Sequence, residues 1–211
     1  MISSAISNGI KGIVNIPGDK SISHRSIIIP SISNGICEIN NILKSDDVMH
    51  TLKAFKSMGV RIDEIDQKLI IYGKGLNSLE KPKNNIYLGN SGTSARLLTG
   101  LLSSQSFDST LTGDKSLSSR PMNRISNPLT EMGAKIKTTN SSLPLLIQGT
   151  NLTPTSINLK IPSAQIKSGI LLASLNTKGE TNITENKITR DHTEKMLGSF
   201  GANIEIKKLD K

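Results

Sequence analysis

Alternating apolar and polar positions predict the same order of elements three times along the chain. Each recurrence opens with a short strand and continues with an apolar helix. The predicted strands are residues 10–16, 85–88 and 157–161, and the helices that follow are residues 26–33, 95–102 and 168–175. Pro30 falls inside the first of these helices, where it removes a backbone hydrogen bond and predicts a kink or an early end.

A second strand and a second helix follow in each recurrence. The strands are residues 36–39, 109–111 and 181–183, and the helices are residues 47–58, 121–132 and 192–200. These helices finish at Gly59, Gly133 and Gly201, which are typical left-handed C-terminal caps. Paired strands come next in the first two recurrences, at residues 60–64 with 68–72 and at residues 134–138 with 143–147. The spacing indicates a repeated unit of about 70 residues.

Strands interleaved with helices in this order predict an α/β fold built of repeated βαβαββ units. We expect three units, at residues 19–90, 91–162 and 163–211, and we expect the third to be incomplete because only ten residues follow Gly201. A sheet without its last strands leaves an open edge and an uncovered apolar face. We therefore interpret the chain as part of a longer protein.

Composition narrows the classes of function. The 211 residues carry a formal net charge of +9, which suits anionic ligands. Nucleic acid is not expected, because the chain has no Trp and only five Tyr and Phe side chains for stacking on bases. One cysteine, Cys37, and three dispersed histidines do not form a metal-binding pattern, so no metal is expected. No apolar run is long enough to span a membrane and the first residues do not resemble a signal peptide, so we expect a cytoplasmic protein.

The apolar helices of the three units begin in similar ways. Hydroxyl residues precede each one, at Ser21, Ser91 and Ser163, and a cation follows in its first turns. These cations are Arg25, Arg96 and Lys167. Helix N-termini bind anions through free backbone N–H groups, so three of them around an approximate threefold axis predict a shared anion pocket. Ordinary capped helices with solvated cations are the alternative, and Lys167 is as well placed for solvent as for the pocket.

Five motifs occur in order along almost the whole chain. They are Pro17-Gly18-Asp19-Lys20-Ser21-Ile22-Ser23-His24-Arg25, Gly89-Asn90-Ser91-Gly92-Thr93, Gly113-Asp114-Lys115-Ser116-Leu117 with Arg120-Pro121-Met122, Pro162-Ser163-Ala164-Gln165-Ile166-Lys167-Ser168, and Arg190-Asp191-His192-Thr193-Glu194. Together they resemble the N-terminal half of the 5-enolpyruvylshikimate-3-phosphate synthase family (3-phosphoshikimate 1-carboxyvinyltransferases). The resemblance implies two globules of three βαβαββ units each, arranged as inside-out α/β barrels with the substrates between them. It also implies that residues 1–18 form a first strand and a crossover packed against the second globule.

The same resemblance implies transfer of an enolpyruvyl group from phosphoenolpyruvate to the 5-hydroxyl of shikimate 3-phosphate, with release of phosphate. It implies no cofactor, no nucleic-acid or membrane partner, and a monomer at full length. The residues that match the family's shikimate 3-phosphate site are Lys20, Ser21, Arg25, Ser163, Ala164, Gln165 and Arg190. The residues that match its phosphoenolpyruvate site are Lys20, Gly92, Arg120 and Gln165, with Lys20 also the catalytic candidate as a proton donor. Many relatives have serine at the position of Ala164, so only main-chain contact is expected there.

Two other functions remain open from the sequence. A UDP-N-acetylglucosamine enolpyruvyl transferase shares the implied fold and chemistry, but its opening motif lacks the Ser-x-Ser-His-Arg run and its reactive cysteine loop has no counterpart here. A noncatalytic basic module that binds anions is the second alternative. The family's acidic residues and its remaining phosphoenolpyruvate ligands belong to the second globule, so we expect this chain alone not to turn over.

Overall fold

The structure is a computed structural model that describes residue 9, residues 11–14 and residues 16–207. These residues contain seven helices and nine strands. The helices are α1 (Lys20–Ser31), α2 (Asp46–Ser57), α3 (Gly92–Ser103), α4 (Lys115–Ser118), α5 (Asn123–Glu131), α6 (Ala164–Ser174) and α7 (His192–Ser199). The strands are β1 (Asn34–Ile39), β2 (Arg61–Ile65), β3 (Lys68–Lys74), β4 (Ile86–Tyr87), β5 (Ser109–Thr112), β6 (Lys135–Thr139), β7 (Ser142–Gln148), β8 (Ser156–Leu159) and β9 (Asn182–Glu185).

The strands form three sheets, and β4 and β8 lie before the expected unit starts at residues 91 and 163. The first sheet has the order β1-β3-β2 and is antiparallel, the second has the order β4-β5-β7-β6, and the third contains β8 and β9. The pairs β4–β5 and β8–β9 are parallel, and each pair is connected through an inner helix. The series β4-α3-β5-α5-β6-β7, with the short α4 added, is therefore a complete βαβαββ unit, which confirms the α/β repeat.

The strand prediction for residues 10–16 was wrong for its described part. Residues 11–14 and 16 have no strand structure, and residues 10 and 15 lie outside the described residues. A strand needs a hydrogen-bonded neighbour. The strand of the first unit that corresponds to β5 and β9 is β1, and among the described residues β1 pairs only with β3. Ile13 and Val14 are exposed, and the packing of residues 1–18 against a second globule stays a prediction.

The helix starts are more regular than the sequence pattern indicated. The N-cap residues are Asp19, Ser91 and Ser163, which are 72 positions apart in both intervals. In α1 the cap is therefore Asp19, whose carboxylate accepts from the N–H of Ile22 at 2.8 Å, and not a serine as predicted. All three helices begin several residues before their apolar segments, because their first turns are polar. As expected, α1 ends early, one residue after Pro30.

The glycine caps are confirmed. Gly59, Gly133 and Gly201 follow the second helices with φ of +83°, +91° and +88°, where a side chain would be strained. No strand follows Gly201 within residues 202–207. The incomplete third unit stays a prediction.

The helices α1, α3 and α6 form the interior, with the sheets outside them. Ten of the twelve residues of α3 are buried. At the crossing of α3 and α6, Gly100 faces the backbone of Gly169 so closely that a Cβ has no room. This close approach determines how the starts of the two helices lie beside each other.

Candidate active site

The first turns of α3 and α6 are joined by one side chain. The Gln165 amide on α6 donates to Thr93 Oγ1 at 3.0 Å, and its Oε1 atom accepts from Arg96 Nη1 at 2.8 Å. Both partners belong to the first turns of α3. Gln165 therefore lies between two helix N-termini, as the predicted shared pocket requires.

Arg25 joins α1 to α6 and α7. Its guanidinium donates from Nη2 to Ser168 Oγ at 2.7 Å, from Nε to Thr193 Oγ1 at 2.5 Å and from Nη1 to the carbonyl of Ser21 at 2.8 Å. Burial lowers the pKa of Arg25, while the neighbouring Glu194 carboxylate opposes the shift. The structure thus places Arg25 at a buried junction of three helices.

Ser21, Ser163 and Arg190, which were also predicted for shikimate 3-phosphate, are less buried than Arg25. Ser21 is half-buried, and its hydroxyl accepts from Nη1 of the exposed Arg190 at 3.2 Å. Ser163 is half-buried, and its hydroxyl accepts from the N–H of Ile166 at 3.4 Å as the cap of α6. The structure therefore brings Ser21, Arg190 and, through Arg25 and Ser168, the start of α6 into one cluster.

Lys20 is the first residue of α1 and forms an ion pair with Asp47 of α2. The Lys20 side chain is 51% exposed, so it remains open to a ligand. Asp47 was not among the residues predicted for the site. Its place in the run Ser45-Asp46-Asp47 is typical of a helix start, although the Ser45 cap makes no side-chain hydrogen bond.

Gly92 and Arg120, both predicted for phosphoenolpyruvate, lie beside each other. An ideal Cβ on Gly92 would be 2.9 Å from Arg96 Nη1 and 3.0 Å from Arg120 Nη1. Arg120 also donates to Asn90 Oδ1, and the Asn90 amide donates to Asp114 at 3.0 Å. Two arginines therefore converge on a position that only glycine leaves open.

The elements around Arg120 differ from the prediction. Residues 121–132 were expected to form one helix beginning directly after Arg120, but α5 begins at Asn123. Arg120 follows the short α4, whose cap Asp114 accepts from the N–H of Leu117 at 2.7 Å. The carboxylate of Asp114 thus fixes both α4 and Asn90, and Asn90 orients Arg120.

Lys167 points neither to the pocket nor to solvent. It is 8% exposed and its ammonium group contacts Glu185 at 2.8 Å and Glu194 at 2.7 Å. Burial lowers the pKa of Lys167, but the hydrogen bonds that its ammonium group donates to the two carboxylates outweigh that effect and raise the pKa overall. Neither possibility left open by the sequence was correct.

His24 is buried in α1 among hydroxyls of α2 and α3. Its Nδ1 atom is 2.8 Å from Thr51 Oγ1 and 3.4 Å from Ser94 Oγ, and those hydroxyls are 2.6 Å apart. Burial is the main cause that lowers the pKa of His24 from 6.5 to about 4, so the ring is neutral at pH 7.

This shift predicts a pH-dependent stability. Between pH 6.5 and about 4 the unfolded chain binds more protons at His24 than the folded chain. The folded state therefore has its full stability with respect to His24 above pH 6.5. As the pH drops to 4, the unfolding free energy falls by about 3 kcal/mol because His24 stays neutral in the folded chain. We expect urea unfolding at pH 7.5 and pH 5 to differ less in His24→Gln than in the wild type. An equal change with pH in both proteins would show that His24 does not titrate in this way.

A cavity of about 490 Å³ lies elsewhere, at the opposite ends of α3 and α6. Amides and hydroxyls line it, among them Asn77, Gln105 and Asn151, and no charged residue does. Multiply charged anions are therefore better matched by the helix starts, where Lys20, Arg120 and Arg190 are found.

Comparison with known proteins now identifies the family. A family model described as EPSP synthase (3-phosphoshikimate 1-carboxyvinyltransferase) matches residues 5–211. The chain belongs to the EPSP synthase family. A curated relative from Ruthia magnifica, named 3-phosphoshikimate 1-carboxyvinyltransferase, is 52% identical over 202 residues, which are 95% of this chain and 46% of the relative. A relative of the same name from Legionella pneumophila is 52% identical over 200 residues, covering 93% of this chain and 46% of the relative.

Solved structures agree with this membership. An EPSP synthase from Acinetobacter baumannii, determined at 2.37 Å, is 48% identical, with a TM-score of 0.90. The match covers 93% of this chain and 45% of that one. The chain thus spans about half the length of the EPSP synthases it matches. No helix among residues 16–207 has the length and apolar character needed to cross a bilayer.

Proposed function

We propose that the protein to which this chain belongs transfers the enolpyruvyl group of phosphoenolpyruvate to the 5-hydroxyl of shikimate 3-phosphate and releases phosphate. The main observation that supports the proposal is that the N-terminal turns of α1, α3 and α6 contact one another and carry cations and hydroxyls. The chain also belongs to the EPSP synthase family. This chain supplies the shikimate 3-phosphate half-site and part of the phosphoenolpyruvate site.

The proposed shikimate 3-phosphate ligands surround the starts of α1 and α6. Lys20 and Arg190 supply charges that remain open to solvent, and Ser21 and Ser163 supply hydroxyls on the first turns. Ala164 contributes only its backbone N–H, and Gln165 spans the two substrates. Arg25 acts from its buried position, where the contacts to Ser21 and Ser168 align the two helix starts. Such fixed donors stabilise a dianion without reorganising when it binds.

The proposed phosphoenolpyruvate ligands are Lys20, Gly92, Arg120 and Gln165. The planar guanidinium of Arg120 suits two oxygens of a phosphate or carboxylate. In the reaction, the 5-hydroxyl oxygen adds to C2 of phosphoenolpyruvate and gives its proton to a base, while C3 gains a proton from an acid. C3 then loses a proton to a base, the C2–O bond to the phosphate breaks, and phosphate leaves. Lys20 is the proposed proton donor in this chain. The remaining acid and base groups are expected in the part of the protein that this chain does not contain.

We also propose a cytoplasmic monomer. Phosphorylated substrates do not cross membranes readily, so their enzyme is expected where they are made. A site between two globules of one chain needs no second copy. Nucleic acid and cofactors have no role in the proposed reaction.

Gly92→Ala is expected to weaken phosphoenolpyruvate binding about tenfold and to change shikimate 3-phosphate binding less than twofold. The added methyl group meets Arg96 and Arg120, and these side chains must move out of the position proposed for phosphoenolpyruvate. Inhibition by a phosphonate mimic of phosphoenolpyruvate measures the effect in the full-length protein. Unchanged inhibition would contradict the close approach proposed at Gly92.

Turnover tests the proposal for the whole protein. We expect no phosphate release from this chain alone with both substrates. Fusion to the unmatched part of the Ruthia magnifica relative should restore release that depends on both substrates, and Lys20→Ala in the fusion should abolish it. Release by the pure chain alone would overturn the division of the site that we propose.

A further inference from the structure

Thr193 lies near the start of α7 and is not among the residues predicted to bind substrate. It is 1% exposed, yet its side chain meets two other helices. Its hydroxyl accepts from Arg25 Nε of α1 at 2.5 Å and lies 2.7 Å from Ser168 Oγ of α6. One buried hydroxyl thus connects α7 to both helices that carry the proposed shikimate 3-phosphate ligands.

The hydrogen bonds have one consistent direction. Ser168 Oγ donates to the carbonyl of Ala164 at 2.6 Å and accepts from Arg25 Nη2. The Thr193 hydroxyl therefore donates to Ser168 while it accepts from Arg25 Nε. These hydrogen bonds form a continuous series from the Arg25 guanidinium through Thr193 and Ser168 to Ala164, the first residue of α6.

The guanidinium of Arg25 also contacts the first turn of α1. Arg25 Nη1 donates to the carbonyl of Ser21, and the Ser21 hydroxyl accepts from Arg190, three residues before Thr193. The orientation of Arg25 therefore affects Ser21 and Ala164 together. Without an oxygen at residue 193, the Nε–H group would be buried with no acceptor at that position, and the guanidinium would have to turn.

We propose that Thr193 is a positioning residue for shikimate 3-phosphate, because its hydroxyl fixes Arg25 and so sets the spacing of Ser21 and the Ser163–Ala164 segment. This inference rests on the proposed function. Thr193 is not a proposed ligand and acts only through Arg25 and Ser168.

Two substitutions separate positioning from packing. Thr193→Val keeps the shape of the side chain and removes the hydroxyl, whereas Thr193→Ser keeps the hydroxyl and removes the methyl group. A packing role predicts that Val is tolerated and Ser is harmful, and the positioning role predicts the reverse. Thr99→Val is a matched control, because Thr99 is fully buried in α3 and its hydroxyl bonds only within that helix, to the Ala95 carbonyl at 2.6 Å.

Calorimetric titration with shikimate 3-phosphate and nuclear magnetic resonance of the Arg25 Nε–H group test the inference together. We expect Thr193→Val to bind about tenfold more weakly and to lose the slowly exchanging Nε–H signal. Thr193→Ser and Thr99→Val should keep both the affinity and the signal. The signal, assigned through its loss in Arg25→Lys, also reports on the contact when no ligand is present.

The outcomes are distinguishable. Equal affinity in the wild type and in Thr193→Val, with both folded by circular dichroism, overturns the positioning role and leaves the proposed function intact. An Nε–H signal that persists in Thr193→Val overturns it as well. Absence of binding by the wild type speaks instead against the proposed function of this half-site.

Discussion

Lys20→Ala is expected to weaken shikimate 3-phosphate binding about 100-fold with little change in stability. The substitution removes the cation nearest the start of α1 and leaves the Asp47 carboxylate without its ion-pair partner. The phosphate of the substrate would then face the unpaired Asp47 carboxylate, whose charge Lys20 now neutralises. Contacts between like charges cost several kcal/mol. The ion pair is half-exposed, so its loss should lower the unfolding free energy by less than about 1 kcal/mol. Calorimetry and urea unfolding measure the two effects.

Lys68→Ala is the matched control for this prediction. Lys68 is 45% exposed and also pairs with a carboxylate, that of Glu38, but it lies on β3 away from the helix starts. Both substitutions remove one positive charge from the chain, so a general electrostatic effect would weaken binding equally in the two variants. Equal affinities would contradict a specific role for Lys20.

Gly100→Ala is expected to lower the unfolding free energy by about 2 kcal/mol. The new methyl group would collide with the carbonyl of Gly169 in α6, and backbone atoms cannot move aside as a flexible side chain can. The gain of about 1 kcal/mol in helix propensity offsets only part of this cost. Urea unfolding measures the loss. Separation of α3 from α6 should also weaken the contacts of Gln165 with Thr93 and Arg96.

Gly198→Ala is the control, and it is expected to raise the unfolding free energy rather than lower it. Gly198 lies in α7 with nothing within 4 Å of its ideal Cβ position, so alanine there should raise the unfolding free energy by about 0.5–1 kcal/mol. A Gly100→Ala variant as stable as the wild type would contradict the close contact between Gly100 of α3 and the Gly169 backbone of α6.

The repeat was predictable because its helix ends and paired strands depend on residues that are close together in the sequence. Glycines in the left-handed conformation at Gly59, Gly133 and Gly201 ended three helices where the sequence placed their ends. The strand pairs after the first two of them also formed as predicted. Residues 10–16 have an alternating pattern of the same kind, but a pattern does not supply the hydrogen-bonded neighbour that a strand requires.

The candidate site was predictable where residues belong to motifs, and not where contacts join distant units. Gly92 and Arg120 were identified from their motifs, and the structure places them side by side. The partner of Lys20 and the acceptor of Arg25 were missed, because Asp47 and Thr193 are separated from them by 27 and 168 positions. Lys167 was left open for the same reason, since its two carboxylate partners come from β9 and α7.

The most direct test of the central claim is calorimetric titration of this chain with shikimate 3-phosphate, compared with UDP-N-acetylglucosamine. We expect saturable binding of shikimate 3-phosphate, about 100-fold weaker binding in Lys20→Ala, and no binding of the nucleotide sugar. Preference for the nucleotide sugar, or equal binding of shikimate 3-phosphate by the wild type and Lys20→Ala, would contradict the assignment of the helix starts as the shikimate 3-phosphate half-site.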